Sequence, residues 1–377
     1  MSDSSTATAE DRVHCRRAIE LAERGRGRVS PNPLVGAVLV RDGKVLGEGF
    51  HARLGELHAE RAALRDCAAR GNDPRGATLF VSLEPCAHEG RQPPCTDAIL
   101  EAGIARVVIA ADDPSEKASG RGPGILRDGG VAVELVGGSE ASAARLQNQA
   151  FRKHARTGLP LVTLKAAVTL DGHTATAAGD SRWISGPASR ELVHHWRAAA
   201  DAVAVGIGTA LADDPLLTAR EVAAERQPAR VVFDASARLP LESKLVASVE
   251  AARLVVVAGP DAPPERVAAL ESAGAETIIA GGDPVEQIAP ALAELGRREV
   301  TSLLLEGGAT LAGSFLDAGE VDELRLFIAP LLVGGAGAAP LAAGRGAAAI
   351  EEAQRALAMD WERSGDDLLV RARLREW

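Results

Sequence analysis

Four residues between positions 58 and 95 carry the chemistry most readily read from this chain: His58, Glu60, Cys86 and Cys95. One imidazole and two thiolates suit tetrahedral Zn²⁺, and three protein ligands leave the fourth position for water, as a catalytic zinc requires. Zinc makes bound water acidic near neutrality, and removing an amino group from a ring carbon also needs a proton carrier. Glu60 is placed for that task without being a ligand. The order H-x-E, then P-C, then a further Cys is the signature of zinc nucleobase deaminases. Eight residues separate the two thiols here, where the generic pattern has two. Taken singly, His58 also reads as a helix cap, and either Cys as a small buried hydrophobe. The competing zinc reading is a structural site with His88, from the loop between the thiols, as fourth ligand.

The elements around these residues explain how they can meet. Residues 59–70 carry Ala62, Ala63, Leu64, Cys67 and Ala68 at helical spacing and stop at Gly71, so His58 and Glu60 fall at a helix N-terminus. A strand at 77–83 delivers Glu84-Pro85-Cys86 from its C-terminal end, and a helix at 96–102 begins just after Cys95. Upstream, a helix over 12–24 is broken by Ser30-Pro31-Asn32-Pro33, and 34–40 with 44–50 form a hairpin about Asp42-Gly43. Further strands at 106–111 and 131–136 complete an α/β/α sandwich. Between them, 120–124 is a glycine-rich stretch read as a connecting loop or, alternatively, a phosphate approach. The polar segment 137–158 holds the boundary, giving a first domain at 1–150 and a second at 151–377.

The second domain begins a new alternation. Strands are expected at 161–170, 202–206, 230–233, 252–258, 276–280, 301–305 and 324–330, with helices at 187–200, 285–295 and 309–318. Two antiparallel strands around Ser364-Gly365-Asp366-Asp367 close the chain. A mostly parallel sheet with an antiparallel end is the natural outcome. Two strand-to-helix turns, Gly206-Ile207-Gly208-Thr209 and Leu305-Glu306-Gly307-Gly308, offer free backbone N–H groups to a phosphate, with Arg197 and Arg220 near the same strand ends. Neither turn has the dinucleotide G-x-G-x-x-G spacing.

A chain of 377 residues suits two domains, and its formal net charge of −10 argues against binding nucleic acid by phosphate neutralisation. A small-molecule substrate is expected instead. Residues 1–17 are polar and contain no apolar run of signal-peptide length, and 324–344 is interrupted by Arg325, Pro330 and glycines, too broken for a membrane span. Four cysteines make no dense disulfide framework. These features imply a cytoplasmic protein with no membrane and no nucleic-acid partner.

The motifs together resemble the bifunctional riboflavin-biosynthesis pyrimidine deaminase/reductases from about Arg12 to the C-terminus. Ser30-Pro31-Asn32-Pro33-x-Val35-Gly36, His51-x-x-x-Gly55-x-x-His58-Ala59-Glu60 and Leu83-Glu84-Pro85-Cys86-x-His88-x-Gly90-Arg91-x-Pro93-Pro94-Cys95 are similar to the family's deaminase motifs, long thiol spacing included. Thr163-Leu164-Lys165, Leu170-Asp171-Gly172, Ser181-x-Trp183-Ile184, Gly208-Thr209, Asp213-Asp214-Pro215-x-Leu217-Thr218 and Glu306-Gly307-Gly308 are similar to its reductase motifs.

The resemblance implies a cytidine-deaminase-like domain followed by a dihydrofolate-reductase-like domain, with one catalytic zinc and NADPH. It implies hydrolytic deamination of a 2,5-diamino-6-ribosylamino-pyrimidinone 5'-phosphate, then reduction of the ribosyl side chain to ribityl phosphate. Asn32, His51, His88 and Arg91 match positions lining the pyrimidine pocket. Ala167, Trp183, Thr209, Asp213 and the run Gly308, Ala309, Thr310, Leu311, Ala312, Gly313 and Ser314 match cofactor-contacting positions. Ser181, Arg197, Leu217, Arg220 and Glu306 match substrate positions, the two arginines as phosphate clamps. Lys165 is a further polar group beside the transferred hydride. A homo-oligomer formed through the reductase domain is implied as well. Departures fall at Ala87, Gln92, Ser115, Glu116 and Ala235, none of them a zinc ligand. Two alternatives remain: a nucleoside or tRNA deaminase with an inert second domain, and a zinc-stabilised nucleotide-binding regulatory protein.

Overall fold

A computed structural model describes residues 7–90, 92–116 and 118–377. It divides into two compact units, one reaching residue 157 and including Trp377, the other spanning 158–376.

The first unit is built on a five-stranded sheet in the spatial order Lys44–Phe50, Gly36–Arg41, Thr78–Val81, Arg106–Ile109, Ala132–Leu135. The hairpin pairs antiparallel and Gly36–Arg41 is also antiparallel to Thr78–Val81, whereas the remaining pairs are parallel. Alternate residues point to opposite faces of a strand, so the strands feed two apolar layers. Ala37, Leu39, Leu79, Val81, Val107 and Ile109 pack with Ala59, Ala63 and Cys67 of the helix Ala59–Ala69. Val38, Val40, Phe80 and Val108 pack with Cys15, Ala18 and Leu21 of the helix Ala9–Glu23. That second helix starts in a capping box formed by Thr8 and Asp11, and Asp11 then pairs with Arg106 at 2.7 and 3.0 Å.

Two glycines of the strand Lys44–Phe50 set the position of the helix Ala59–Ala69. A Cβ at Gly49 would stand 2.3 Å from the Ala63 amide nitrogen, and one at Gly47 would stand 2.5 Å from the Ala63 carbonyl oxygen. With no side chains in the way, the helix Ala59–Ala69 lies directly on the strand, which fixes the helix start that carries His58 and Glu60. The stretch 120–124 departs from the loop expected of it. It opens the helix Arg121–Asp128, because Gly120 takes the left-handed N-cap conformation and Pro123 lies in the first turn, where its missing N–H is harmless.

The second unit holds a nine-stranded sheet ordered Glu276–Ile279, Leu254–Ala258, Ala229–Phe233, Ala202–Gly206, Ser302–Leu305, Leu161–Thr169, Glu323–Ala329, Asp367–Arg373, Ala358–Ser364. The first seven are parallel and the last two antiparallel. Val-, Leu- and Ile-rich strands bury both faces, one under Ile288–Arg297 and Ala309–Asp317, the other under helices that include Lys244–Ala247 and Pro264–Ser272. In such sheets ligands bind beyond the C-terminal ends of the strands. Those ends carry both glycine turns, on the neighbouring strands Ala202–Gly206 and Ser302–Leu305. Among the described residues, no helix is long and apolar enough to cross a membrane.

Candidate active sites

His58 caps the helix Ala59–Ala69 with extended backbone, so its imidazole projects from the helix start. Cys86 follows the strand Thr78–Val81, and Cys95 is the first residue of the helix Cys95–Glu101, held to Cys86 by amide-to-carbonyl and amide-to-sulfur bonds of 3.1 and 3.4 Å. The eight intervening residues thus loop out while the two thiols return to one place. His58 Nδ1 stands 3.5 Å from the Cys86 sulfur and 3.4 Å from the Cys95 sulfur. Bonds of about 2.0 Å to nitrogen and about 2.3 Å to sulfur in a tetrahedron set these atoms roughly 3.5 Å apart, so the donor set fits zinc. Among the described residues this group contains three ligands, His58, Cys86 and Cys95. His88 is exposed and outside it.

Glu60 is buried at 3% exposure. Burial, and next the neighbouring Cys86, push its carboxyl above the usual carboxylate range. A raised pKa makes the carboxylate a stronger base for the proton of an attacking water, which is what a proton carrier needs. The Cys86 thiol is drawn well below the usual thiol range, first by Cys95 and then by His58.

His51 and Asn32 join the same site. His51 Nδ1 lies 3.1 Å from the Leu57 carbonyl, which can only accept, so this nitrogen carries the proton. Nε2 is then the acceptor for the Asn32 side-chain amide at 3.1 Å, and burial lowers the imidazole pKa, keeping the ring neutral. The His51 ring meets the His58 ring edge-on at 5.3 Å between centroids. Arg91 lies outside the described residues.

The second unit contains a cleft of about 2010 Å³ at the strand ends. It brings together Lys165, Ala167, Ser181, Trp183, Arg197, Thr209, Asp213, Leu217, Arg220, Glu306, Gly308 to Leu311, and Ser314. Ala312 and Gly313 lie elsewhere: Ala312 is in the core with its amide bonded to Gly308, and a Cβ on Gly313 would collide with the Ala343 carbonyl. The two glycine turns adjoin, since a Cβ on Gly308 would lie 3.3 Å from Thr209 Oγ1. Neither following helix, Ile207–Asp213 nor Ala309–Asp317, has a side-chain N-cap, so first-turn amides are left for a ligand.

Charged side chains in this cleft meet one another. Arg197, from the helix Pro187–Ala199, directs Nε and Nη2 at the Glu306 carboxylate at 2.7 and 2.8 Å. Its Nη1 reaches the Thr218 carbonyl at 3.3 Å. The guanidinium expected as a phosphate clamp is therefore bonded to protein partners, while among the described residues the Arg220 guanidinium hydrogen-bonds to Thr218 Oγ1 at 3.2 Å and has Glu221 and Glu306 as charged neighbours. Burial works against ionisation of Glu306, but Arg197 and Lys165 outweigh it and hold the carboxyl below its usual range. Lys165 is half-buried, and desolvation lowers its pKa against the pull of Glu306. His194, overlooked in the sequence, lines the cleft beside Arg197 and Arg220, and burial with these two cations lowers its pKa. Its position three residues before Arg197 on one helix face was the available signal.

Comparison with known proteins follows the same division. Residues 8–111 match the cytidine and deoxycytidylate deaminase zinc-binding region, and 160–370 match the RibD C-terminal domain. The riboflavin biosynthesis protein RibD of Aquifex aeolicus is 40% identical over 361 residues, 96% of this chain and 97% of its own. The chain belongs to the RibD family. Acinetobacter baumannii RibD superposes with a TM-score of 0.86 at 36% identity, over 97% of this chain and 99% of that one. A Thermotoga maritima structure described as a diaminohydroxyphosphoribosylaminopyrimidine deaminase/5-amino-6-(5-phosphoribosylamino)uracil reductase gives 0.84 at 36% identity, with 97% and 99% covered. As a RibD-family protein the chain is a bifunctional enzyme of riboflavin biosynthesis, a zinc-binding deaminase domain followed by a reductase domain. A deaminase with an inert second domain and a purely regulatory protein are both disfavoured by the reductase match.

Proposed function

We propose that the first domain removes ammonia from the amino-bearing ring carbon of a 2,5-diamino-6-ribosylamino-pyrimidinone 5'-phosphate. The second then reduces the ribosyl group of the product to ribityl, with NADPH as donor. The observation that carries the first step is the three-ligand group with Glu60 buried against it. His58, Cys86 and Cys95 would hold the metal, which when bound makes water nucleophilic at neutral pH and polarises the reacting carbon's surroundings. Glu60 takes the proton of the attacking water and returns it to the departing amino nitrogen. Asn32, kept in one orientation by His51, offers its amide to the pyrimidine edge, with His88 and Arg91 as further contacts proposed from the family motif.

The reduction is supported by the cleft's size and its charge. NADPH, when bound, supplies the hydride; first-turn amides at Gly308–Thr310 and Ile207–Thr209 suit its phosphates, and Ala167, Trp183, Asp213 and Ser314 line its surroundings. Lys165, Arg197 and Arg220 against the carboxylates Glu306 and Glu221 leave a positive balance in the same cleft, fitting a substrate phosphate, with Arg220 the cation best able to bind it. Ser181 and Leu217 line the same cleft. Supplying this substrate to zinc-replete enzyme should release ammonia, and NADPH added afterwards should be oxidised in matching amount. Ammonia without NADPH oxidation would defeat the second half of the reading, and no ammonia would defeat the first.

Homo-oligomerisation through the reductase domain is part of the same proposal. Its edge strand Ala358–Ser364 shows Met359 and Trp361 at 68% and 67% exposure, beside an open edge that a second copy would cover. Light scattering on Trp361→Asp, expected to yield monomer, tests it.

A further inference from the structure

The segment Leu217 to Arg220 has no regular secondary structure, yet side chains take its successive backbone groups. The Thr218 carbonyl accepts from Arg197 Nη1 at 3.3 Å. The Ala219 amide donates to Gln227 Oε1 at 2.8 Å, and the Ala219 carbonyl accepts from Gln227 Nε2 at 3.1 Å. The Arg220 amide points at His194 Nδ1 at 3.3 Å. Three side chains thus replace the neighbouring strand that would ordinarily satisfy these groups.

The backbone needs that support. Asp214, Leu217 and Glu221, none of them glycine, have φ of 41°, 54° and 62°, left-handed values that a non-glycine residue holds only when its surroundings over-determine it. Leu217 is nearly fully buried among the strand and helix residues of one core layer. Arg220, three residues on, is exposed toward the cleft. The strained path therefore turns the chain from a buried anchor to an outward guanidinium.

We infer that Gln227 is a positioning residue for the reduction: by gripping both polar groups of Ala219 it sets the direction in which Arg220 meets the substrate phosphate. Gln227 does not line the cleft. It sits just ahead of the strand Ala229–Phe233, whose first amide is bonded to the Asp201 carbonyl at 2.9 Å, so the grip is anchored to the sheet. A carboxamide suits this task because it accepts and donates at once, matching a peptide unit as a paired strand does. This inference rests on the reading of Arg220 as the phosphate-binding cation.

The test compares kcat/KM for reduction of the 5'-phosphorylated substrate and of its dephosphorylated form in wild type, Arg220→Ala, Gln227→Ala and Gln227→Glu. Gln227→Ala should raise KM for the phosphorylated substrate about tenfold, the scale of losing two hydrogen bonds, with little change in kcat. Its preference for the phosphorylated form should fall toward that of Arg220→Ala. Gln227→Glu, which still accepts from the Ala219 amide but sets an acceptor-only carboxylate oxygen against its carbonyl, should be impaired at least as much as Gln227→Ala. Ammonia release by the deaminase domain should stay unchanged, and a retained kcat for reduction, which needs a folded second unit, reports folded enzyme in each variant. If Gln227→Ala lowers kcat/KM equally for both substrates, or changes neither, Gln227 is not a positioning residue. If Arg220→Ala itself leaves the phosphate preference intact, the phosphate reading fails and this inference with it.

Discussion

Replacing Glu60 by glutamine separates proton transfer from everything else the deaminase site does. Glutamine keeps the length and shape of the side chain, and His58, Cys86 and Cys95 form the ligand group without it, so zinc content should stay near one per chain. The proton carrier is lost. General acid–base catalysis is worth about 10²- to 10⁴-fold, or about 3–5 kcal/mol of barrier. Glu60 is 3% exposed, which leaves bulk water little opportunity to relay the proton instead, so the loss should lie toward the upper end. The assay follows ammonia release from the diaminopyrimidinone ribosyl phosphate, with zinc measured on the same preparation. Reduction of a substrate already deaminated, read as NADPH oxidation, should be unaffected. Deamination within tenfold of wild type would refute the proton-carrier role, and loss of zinc would make Glu60 part of the metal site instead.

Three further perturbations probe the scaffold. Gly49→Ala places a methyl 2.3 Å from the Ala63 amide nitrogen; displacing the helix should cost about 1–3 kcal/mol of stability and weaken zinc retention, read by denaturant titration and metal analysis. Glu306→Gln leaves Arg197 and Lys165 without their buried carboxylate, and should abolish NADPH oxidation and cost about 3 kcal/mol while ammonia release persists. Asp11→Asn tests acid stability in the first unit. Hydrogen bonding from Arg106, chiefly, lowers the Asp11 pKa from 3.8 to about 2. A carboxyl depressed in the folded state stabilises above its unfolded pKa and loses that contribution as pH falls through its folded pKa. The variant should therefore be about 2 kcal/mol less stable at neutral pH, and denaturant curves of the two proteins should converge as pH is lowered from about 4 to about 2.

The local part of both domains was open to reading from the sequence. Periodicities of two and near four marked most strands and helices, because a strand or helix that buries one face must repeat apolar residues at its own period. His58, Glu60, Cys86 and Cys95 stood out because zinc chemistry restricts which residue types can serve and in what order. The stretch 120–124 misled because glycine and proline mark loops and helix starts alike, and only its packing beneath Gly122, where a Cβ would stand 2.2 Å from the Pro85 carbonyl, separates the two.

Tertiary structure alone decided which groups are free to act. Sequence names Arg197 and Arg220 as equals, but the sheet sets Leu305 beside Leu164, which brings the following Glu306 and Lys165 to one strand-end region. Glu306 then occupies the Arg197 fork, whereas the Arg220 guanidinium meets the Thr218 hydroxyl. In the same way, nothing in the order of residues says that Asn32 is oriented by His51, or that Gln227 grips Ala219. Sequence determines what each residue can donate, accept or ligate, since that is fixed by its covalent chemistry. Which of those capacities is already satisfied by another part of the chain depends on distances across the fold, and these exist only once the strands have paired.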